Sequence, residues 1–333
     1  MRCASCGSRI APRPWRTSWR SSREPSSFRI QRRVATPRRR PPPPRLGCGR
    51  IPHQRRALPA LEPGDLPHRP GCPRSRRALP DERRFVSTEA QRVFITGATS
   101  GIGRALAEGY AREGALLGLV GRREERLQEV AATCRARGAG TRCYAVDVTD
   151  REALRAAIDD FVAAAGGADL VIANAGRGGP DRLSGGDPAP LANLMEVNVV
   201  GVLNTLVPFV PVLRAQGGGH LVAIASVAGS RALPGHAAYS ASKAAVRTLL
   251  EGFGWALERY GIAVTCVNPG FVVSEMTASN DFPMPFLLET EEAARRIRRA
   301  LRRRPRVYTF PLPMRVVSWT LRWLPAFVVR RLR

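Results

Sequence analysis

The residue types best suited to chemistry are a tyrosine and a lysine four positions apart, Tyr239 and Lys243. On a helix this spacing places the phenol and the ammonium on one face. An unperturbed tyrosine has a pKa of about 10, and a nearby positive charge lowers it by favouring the phenolate. The pair therefore predicts a general acid and base. Lys243 is the single lysine among 53 basic residues, which indicates a position where arginine does not suffice.

Ser226 is a second candidate, thirteen residues before Tyr239 and directly after an apolar run that predicts a strand. Ligands of open α/β sheets bind at the carboxyl ends of the strands, so the Ser226 hydroxyl could reach a substrate oxygen. A serine that caps the turn after the strand is the alternative.

A glycine-rich turn is the third feature. The predicted strand Val93–Thr96 continues into the sequence TGATSGIG at residues 96–103, and a predicted helix follows. Glycine allows a tight turn and a close approach of the backbone, and a helix N-terminus offers free N–H groups to an anion. The glycines are spaced G-x-x-x-G-x-G rather than G-x-G-x-x-G. In this strand–turn–helix setting they predict a site for the pyrophosphate of a dinucleotide.

The end of the second predicted strand bears on which dinucleotide would bind. An acidic side chain at this place would hydrogen-bond the ribose 2′-hydroxyl of NAD, but the chain has Gly121, followed by Arg122. The planar guanidinium suits the oxygens of a 2′-phosphate. The sequence therefore favours NADP(H) over NAD(H), with a solvated arginine at a helix start as the alternative.

The elements that must position these residues alternate between short apolar runs and longer helical segments. The predicted strands are 93–96, 116–120, 143–146, 170–173, 221–225 and 263–267, and the predicted helices are 104–113, 124–137, 151–165, 191–213 and 237–260. This alternation predicts an α/β fold with a doubly wound parallel sheet of the Rossmann type. The apolar stretch 199–213 is too short to span a membrane and contains two prolines, so we expect a buried helix.

Composition bounds the class of protein. The chain has 333 residues, a hydrophobic content of 44% and a net charge of +26. These values argue against disorder over the whole length and against a polytopic membrane protein. Seven scattered cysteines do not form a disulfide framework and favour a reducing compartment, so a cytoplasmic location is expected.

Residues 1–88 differ in kind from the rest, because the first 90 residues hold 22 arginines and only 6 acidic residues. We expect a disordered Arg/Pro-rich extension. Nucleic-acid binding, an organelle transit peptide and a zinc site at Cys3, Cys6, Cys48, His53, His68 and Cys72 are weaker readings, so neither a nucleic-acid partner nor a metal is expected. The favoured reading is a wrongly assigned start, with the natural one near Val86.

Together, the motifs at residues 96–103, 174–176 (Asn-Ala-Gly), Asn198, Ser226, 239–243 and 269–270 (Pro-Gly) resemble the short-chain dehydrogenase/reductase family in order and spacing. The resemblance covers roughly residues 91–306. It implies a seven-stranded sheet, with Tyr239 exchanging a proton with the substrate oxygen, Ser226 polarising the carbonyl and Lys243 lowering the tyrosine pKa while holding the nicotinamide ribose. Asn198 would hold a water of the proton relay.

The resemblance also implies the coenzyme contacts and the assembly. The expected cofactor-binding residues are Gly97, Thr99, Ser100, Gly101, Ile102, Gly103, Arg122, Asp147, Val148, Asn174, Ala175, Gly176, Tyr239, Lys243, Pro269, Gly270 and Val272. Asp147 and Val148 would hold the adenine, and Pro269 and Gly270 would approach the nicotinamide. Relatives are usually dimers or tetramers, so a homo-oligomer is expected.

The carboxyl-terminal part divides at residue 310, which gives a dehydrogenase domain over 91–310 and a basic amphipathic tail over 311–333. The segment after Pro269 and Gly270 is apolar and predicts a fairly apolar carbonyl or alcohol substrate. Tryptophan and arginine in the tail fit a peripheral membrane contact, or a helix packed on its own domain or a partner.

We expect an NADP-preferring oxidoreductase of the EC 1.1.1 class. The alternative is a regulatory or scaffold protein that binds NADPH without catalysis.

Overall fold

The computed structural model describes residues 90–181, 183–278, 280, 283–329 and 331. The strands are β1 (Arg92–Thr96), β2 (Leu116–Gly121), β3 (Gly140–Ala145), β4 (Leu170–Ala173), β5 (Gly219–Ile224), β6 (Ile262–Pro269) and β7 (Val307–Phe310). The helices are α1 (Gly101–Ala111), α2 (Glu124–Ala136), α3 (Arg151–Ala165), α4 (Ala189–Met195), α5 (Gly201–Leu206), α6 (Val210–Ala215), α7 (Ala237–Leu257), α8 (Thr290–Leu301), α9 (Leu312–Trp323) and α10 (Ala326–Val329). The proposed N-terminal extension, with its zinc candidates, lies outside the described residues.

The seven strands form one parallel sheet in the order β3-β2-β1-β4-β5-β6-β7. The chain builds outward from β1 in one direction, then crosses over to β4 and builds in the other. The strand order therefore reverses beside β1, where open α/β sheets leave a crevice for a ligand. The predicted Rossmann-type doubly wound fold is confirmed.

Alternate side chains of the strands supply two hydrophobic cores, one on each face of the sheet. On β1, Ile95 packs with Leu106 of α1 and Ile297 of α8, whereas Phe94 packs on the other face with Phe161 of α3 and Phe209. A strand buried on both faces reads as a continuous apolar run, because its alternating side chains all leave water. The central strands could therefore be predicted from their apolar runs.

Element ends differ from the predictions where polar or proline residues intervene. Strand β3 pairs with β2 from Gly140 onward, three residues earlier than predicted, because backbone pairing continues through the polar residues Thr141 and Arg142. The predicted helix 191–213 is a helical run, Ala189–Ala215, broken by a π-helical turn at Glu196–Val200 and a 3₁₀ turn at Val207–Phe209. The latter contains Pro208, whose missing N–H interrupts the α-helical ladder.

The run Ala189–Ala215 has the length and composition of a membrane-spanning helix, and its most apolar window is 44% buried. Four of its large side chains lie fully or almost fully within the core beneath β4 and β5: Val202, Leu206, Phe209 and Leu213. As predicted, the run is a helix packed on the sheet.

Candidate active site

A cavity of about 620 Å³ opens at the carboxyl ends of β1, β4, β5 and β6, a size typical of small-ligand sites. The sequence-predicted residues in its lining are Gly97, Thr99, Ser100, Gly101, Ile102, Arg122, Asp147, Val148, Asn174, Ala175, Gly176, Ser226, Tyr239, Lys243, Pro269, Gly270 and Val272. The fold thus brings together segments up to 175 positions apart. Two predicted residues, Gly103 and Asn198, lie behind the lining rather than in it.

The glycine turn between β1 and α1 forms one end of the cavity. Gly97 has a φ of +67°, a left-handed conformation that favours glycine. A Cβ at Gly103 would lie 2.2 Å from the Gly97 carbonyl oxygen and 2.4 Å from Asn174 Nδ2, so a side chain there would displace the turn. Asn174 Nδ2 donates to the carbonyl oxygens of Thr96 (3.2 Å) and Gly97 (3.0 Å), which fixes the turn to the end of β4.

The first turn of α1 is open toward the cavity. Ser100 is the N-cap residue, and among the described residues no side chain caps the helix. The first N–H groups of a helix lack partners within the helix, and they carry a partial positive charge. Together with the Cβ-free cradle of Gly97 and Gly103, they fit a dinucleotide pyrophosphate.

Asp147 lies at the edge of the glycine-turn end of the cavity. Its Oδ1 accepts hydrogen bonds from the Thr149 backbone N–H (3.0 Å) and the Thr149 hydroxyl (2.9 Å). Burial alone would raise the pKa of the carboxyl, but these hydrogen bonds and the charge of Arg122 hold it below its usual value. Arg122 Nη1 lies 3.5 Å from Asp147 Oδ2, so the arginine is placed beside the cavity.

Arg123 is a candidate that the sequence analysis missed. Its Nη2 donates to Thr99 Oγ1 at 3.4 Å, and its Nη1 donates to Glu275 Oε2 at 3.1 Å. The side chain therefore bridges the glycine turn and the segment that follows β6. Its position directly after Arg122 was the available signal. A Cβ at Gly121 would lie 2.5 Å from Thr99 Cγ2, so a larger residue there would displace the Thr99 side chain, and the glycine supplies no carboxylate where NAD-binding sites often carry one.

Lys243 lies on α7 and is only 5% exposed. Its Nζ donates to the Ile224 carbonyl oxygen at 2.9 Å and lies 5.8 Å from the centre of the Tyr239 ring. Burial lowers the pKa of the ammonium to about 8, because it disfavours the charged form. The lysine is thus charged at neutral pH and loses its charge under mildly alkaline conditions.

Tyr239 lies in the first turn of α7, is partly buried, and is beside Ser226. Burial raises the pKa of the phenol, and a hydrogen bond with the Ser226 hydroxyl opposes the rise. The lowering that the sequence analysis expected from Lys243 is not what this geometry gives, because the lysine Nζ is directed to Ile224. Ser226 Oγ also accepts from the Ala228 N–H at 3.1 Å, so it caps its turn as well as facing Tyr239.

Asn198 is fully buried in the π-helical turn, a kind of turn that is frequent at functional sites. Its Oδ1 accepts from the Arg177 N–H at 2.7 Å, and its Nδ2 donates to the Arg177 carbonyl (2.9 Å) and to Ser242 Oγ (3.0 Å). The side chain thus ties the segment after β4 to α7. The expected role in a proton relay stays a prediction.

Asp181 caps α7 and was also missed. Its carboxylate accepts from the N–H groups of Ala237 and, at 3.1 Å, Ala238, although it lies more than fifty positions away in the chain. A carboxylate at a helix N-terminus is stabilised by the helix dipole. No local sequence pattern marks this contact, because both partners are brought together only by the fold. It fixes the start of the helix that carries Tyr239.

The outer end of the cavity is lined by loop residues, among them Gly178, Pro180, His236 and Met276. The Met276 side chain packs on Gly178, where a Cβ would lie 3.0 Å from the Met276 sulfur. Within the described ranges, no cluster of His, Cys, Asp and Glu could hold a metal ion. The lining of this outer end therefore includes the apolar side chains of Pro180 and Met276 and the imidazole of His236.

Known proteins resemble this chain over the same region. The sequence profile of the family described as short chain dehydrogenase matches residues 91–283. An uncharacterised oxidoreductase of Myxococcus xanthus is 40% identical over 232 residues, which cover 70% of this chain and 92% of that protein.

Two solved structures share the fold. A short-chain dehydrogenase/reductase of Burkholderia phymatum in complex with NAD has a TM-score of 0.65 and 27% identity, covering 69% of this chain and 92% of that one. An alcohol dehydrogenase of Thermococcus sibiricus complexed with 5-hydroxy-NADP has a TM-score of 0.60 and 29% identity, covering 67% of this chain and 95% of that one.

Proposed function

This chain belongs to the short-chain dehydrogenase/reductase family, and from that premise we propose that it interconverts a carbonyl and an alcohol with a preference for NADP(H). An NAD(P)-dependent oxidoreductase is the class that its relatives support. The observation that carries the finer proposal is the convergence of Ser226, Tyr239 and Lys243 on one cavity that also holds the glycine turn.

Each catalytic side chain has a role that follows from its surroundings. When bound, the nicotinamide supplies or accepts the hydride. The raised pKa of Tyr239 keeps its phenol protonated at neutral pH, so it can donate a proton to a carbonyl oxygen. Ser226 places its hydroxyl beside that phenol and orients the same oxygen. Lys243 would supply positive charge near the ribose and the tyrosine.

The preference for NADP(H) is supported by charge and by space. Arg122 and Arg123 both line the cavity next to the glycine turn, and Gly121 supplies no carboxylate that would bind a ribose 2′-hydroxyl, while a larger residue there would displace the Thr99 side chain. Guanidinium groups bind phosphate oxygens in a planar fork. The two neighbouring structures hold NAD in one case and an NADP derivative in the other, so the support comes from this chain's own residues.

We infer a small, fairly apolar carbonyl or alcohol as substrate, because the apolar side chains of Pro180 and Met276 are part of the lining at the outer end of the cavity. The proposal includes a cytoplasmic homo-oligomer of the EC 1.1.1 class, as is usual among relatives, and no nucleic-acid partner.

Two measurements test the proposal. The first is a fluorescence titration of the full-length protein with NADPH and, separately, with NADH, in which NADPH is expected to bind more tightly. The second is steady-state turnover of a panel of apolar ketones with the preferred coenzyme. Tighter binding of NADH would overturn the coenzyme preference and leave the reaction type standing. Binding of NADPH without turnover of any ketone would favour a regulatory or scaffold role.

A further inference from the structure

A row of exposed apolar side chains follows the last strand. Leu312, Val316, Trp319 and Trp323 lie on α9, and Phe327 lies on α10; we call these five residues the tail stripe. The spacing of three and four places the α9 members on one helix face. Their exposed fractions run from 55% for Val316 to 72% for Trp323, which is high for such large apolar groups.

The opposite side of α9 and α10 packs against the domain. Met314 and Val329 are each 5% exposed, and a Cβ at Gly270 would lie 2.8 Å from Met314 Cγ. Arg231 Nη1 donates to the Arg322 carbonyl at 3.2 Å, which holds the end of α9 against the turn that follows β5. The helix is therefore fixed to the domain by one side, and the tail stripe faces outward.

The segment that carries the tail stripe holds charges of one sign only. From Ala293 to the last residue the sequence holds 13 arginines and no Asp or Glu. Arg315 and Arg322 lie on α9 itself, between members of the stripe. Tryptophan favours the interface between lipid headgroups and acyl chains, and basic residues are attracted to anionic headgroups.

We propose that the tail stripe binds the surface of a membrane rich in anionic lipids, with its apolar side chains inserted among the headgroups and Arg315 and Arg322 paired with phosphates. A second copy of this chain is the less suitable occupant. A symmetric contact would bring Arg315 and Arg322 close to the same cations of the partner, and like charges repel.

The experiment is co-sedimentation of the full-length protein with phosphatidylcholine vesicles that contain about 30 mol% phosphatidylglycerol, at ~0.15 M salt. The test variant is W319E/W323E. The matched control is L183E/W255E, because Leu183 and Trp255 are 69% and 63% exposed and the two substitutions introduce the same two charges elsewhere. We expect the test variant to bind at least about tenfold more weakly and the control to lose at most about threefold.

We expect the arginine-rich first 90 residues to attract anionic vesicles as well, but they are present in all three proteins and so contribute equally. Circular dichroism verifies that each variant is folded. Equal binding by W319E/W323E and L183E/W255E would overturn the proposal, as would equal binding of the unaltered protein to pure phosphatidylcholine. Gel filtration adds an independent result: a smaller assembly in W319E/W323E, with unchanged sedimentation, would assign the tail stripe to a second copy.

Discussion

The end of the cavity formed by the glycine turn and the outer end formed by loops are built in different ways. At the glycine-turn end, strands β1 and β4 and the start of α1 hold the backbone, and Asn174 locks the turn by hydrogen bonds of 3.0 and 3.2 Å. At the outer end, Met276 and Pro180 lie on loops and are exposed. A rigid end suits a coenzyme that many relatives share, and a loop-lined end suits a substrate that differs among them.

The largest expected effect on coenzyme binding is at the glycine turn. Gly103→Ala should weaken NADPH binding by about 100-fold, because its Cβ has no space beside the Gly97 carbonyl. The matched control is Gly252→Ala, since no atom lies within 4 Å of that Cβ. Fluorescence titration of both variants checks the prediction. Equally tight binding by Gly103→Ala would mean that the turn is not the rigid element described above.

Lys243 lies between the two ends and gives a prediction in pH. Its lowered pKa of about 8 means that the charge is lost above that value, so kcat should fall by about tenfold per pH unit under alkaline conditions. Lys243→Arg should remove this alkaline limb, although its rate is lower, because a guanidinium stays charged. A limb that persists in Lys243→Arg would assign the titration to another group.

The same pKa has a consequence for stability. An unfolded lysine titrates near 10.5, so the unfolded chain binds more protons than the folded one between about pH 8 and 10.5. The contribution of Lys243 to the free energy of unfolding therefore rises with pH across this interval. Urea denaturation of the protein and of Lys243→Met at several pH values isolates that contribution.

The next largest effect on coenzyme binding is expected at Arg122, also at the glycine-turn end of the cavity. Arg122→Ala should weaken NADPH binding by about tenfold and leave NADH binding unchanged, since only NADPH carries the 2′-phosphate. Arg112→Ala is a suitable control, because Arg112 is an exposed arginine at the end of α1. If Arg123→Ala has the larger effect, the phosphate lies nearer the bridge between Thr99 and Glu275. Equal losses for both coenzymes would contradict the preference for NADP(H).

The smallest predicted effect is at the start of α7, where Asp181 accepts hydrogen bonds from the helix backbone. Asp181→Ala should cost about 1 kcal/mol of stability and lower kcat several-fold, because it removes the cap from the helix that carries Tyr239. Asp187→Ala removes a similar contact, in which the Asp187 carboxylate accepts a 2.9 Å hydrogen bond from the Ala189 N–H at the start of α4. Both substitutions should lower the melting temperature, and only Asp181→Ala should lower kcat. Equal effects on kcat would reduce Asp181 to a stabilising role.

The sequence was sufficient where the contacts are local. The apolar strands, the glycine turn and the helical spacing of Tyr239 and Lys243 each lie within a few consecutive residues, and the Rossmann-type fold followed from their alternation. Asp181 and the bridge from Arg123 to Glu275 join residues far apart in the chain, so no local pattern marks them. The direction of the Tyr239 pKa was also missed, because burial and the orientation of Lys243 are set by tertiary packing.

The central claim is that Tyr239 is the proton donor of a carbonyl reduction, and Tyr239→Phe tests it most directly. The variant should bind NADPH as tightly as the unaltered protein, since the phenyl ring still fills the site. Its turnover of the best ketone from the panel should fall by at least about 1,000-fold, because the aliphatic hydroxyl of Ser226 is a much weaker acid than the lost phenol. Turnover within about tenfold of the unaltered protein would contradict the assignment of Tyr239 as the acid.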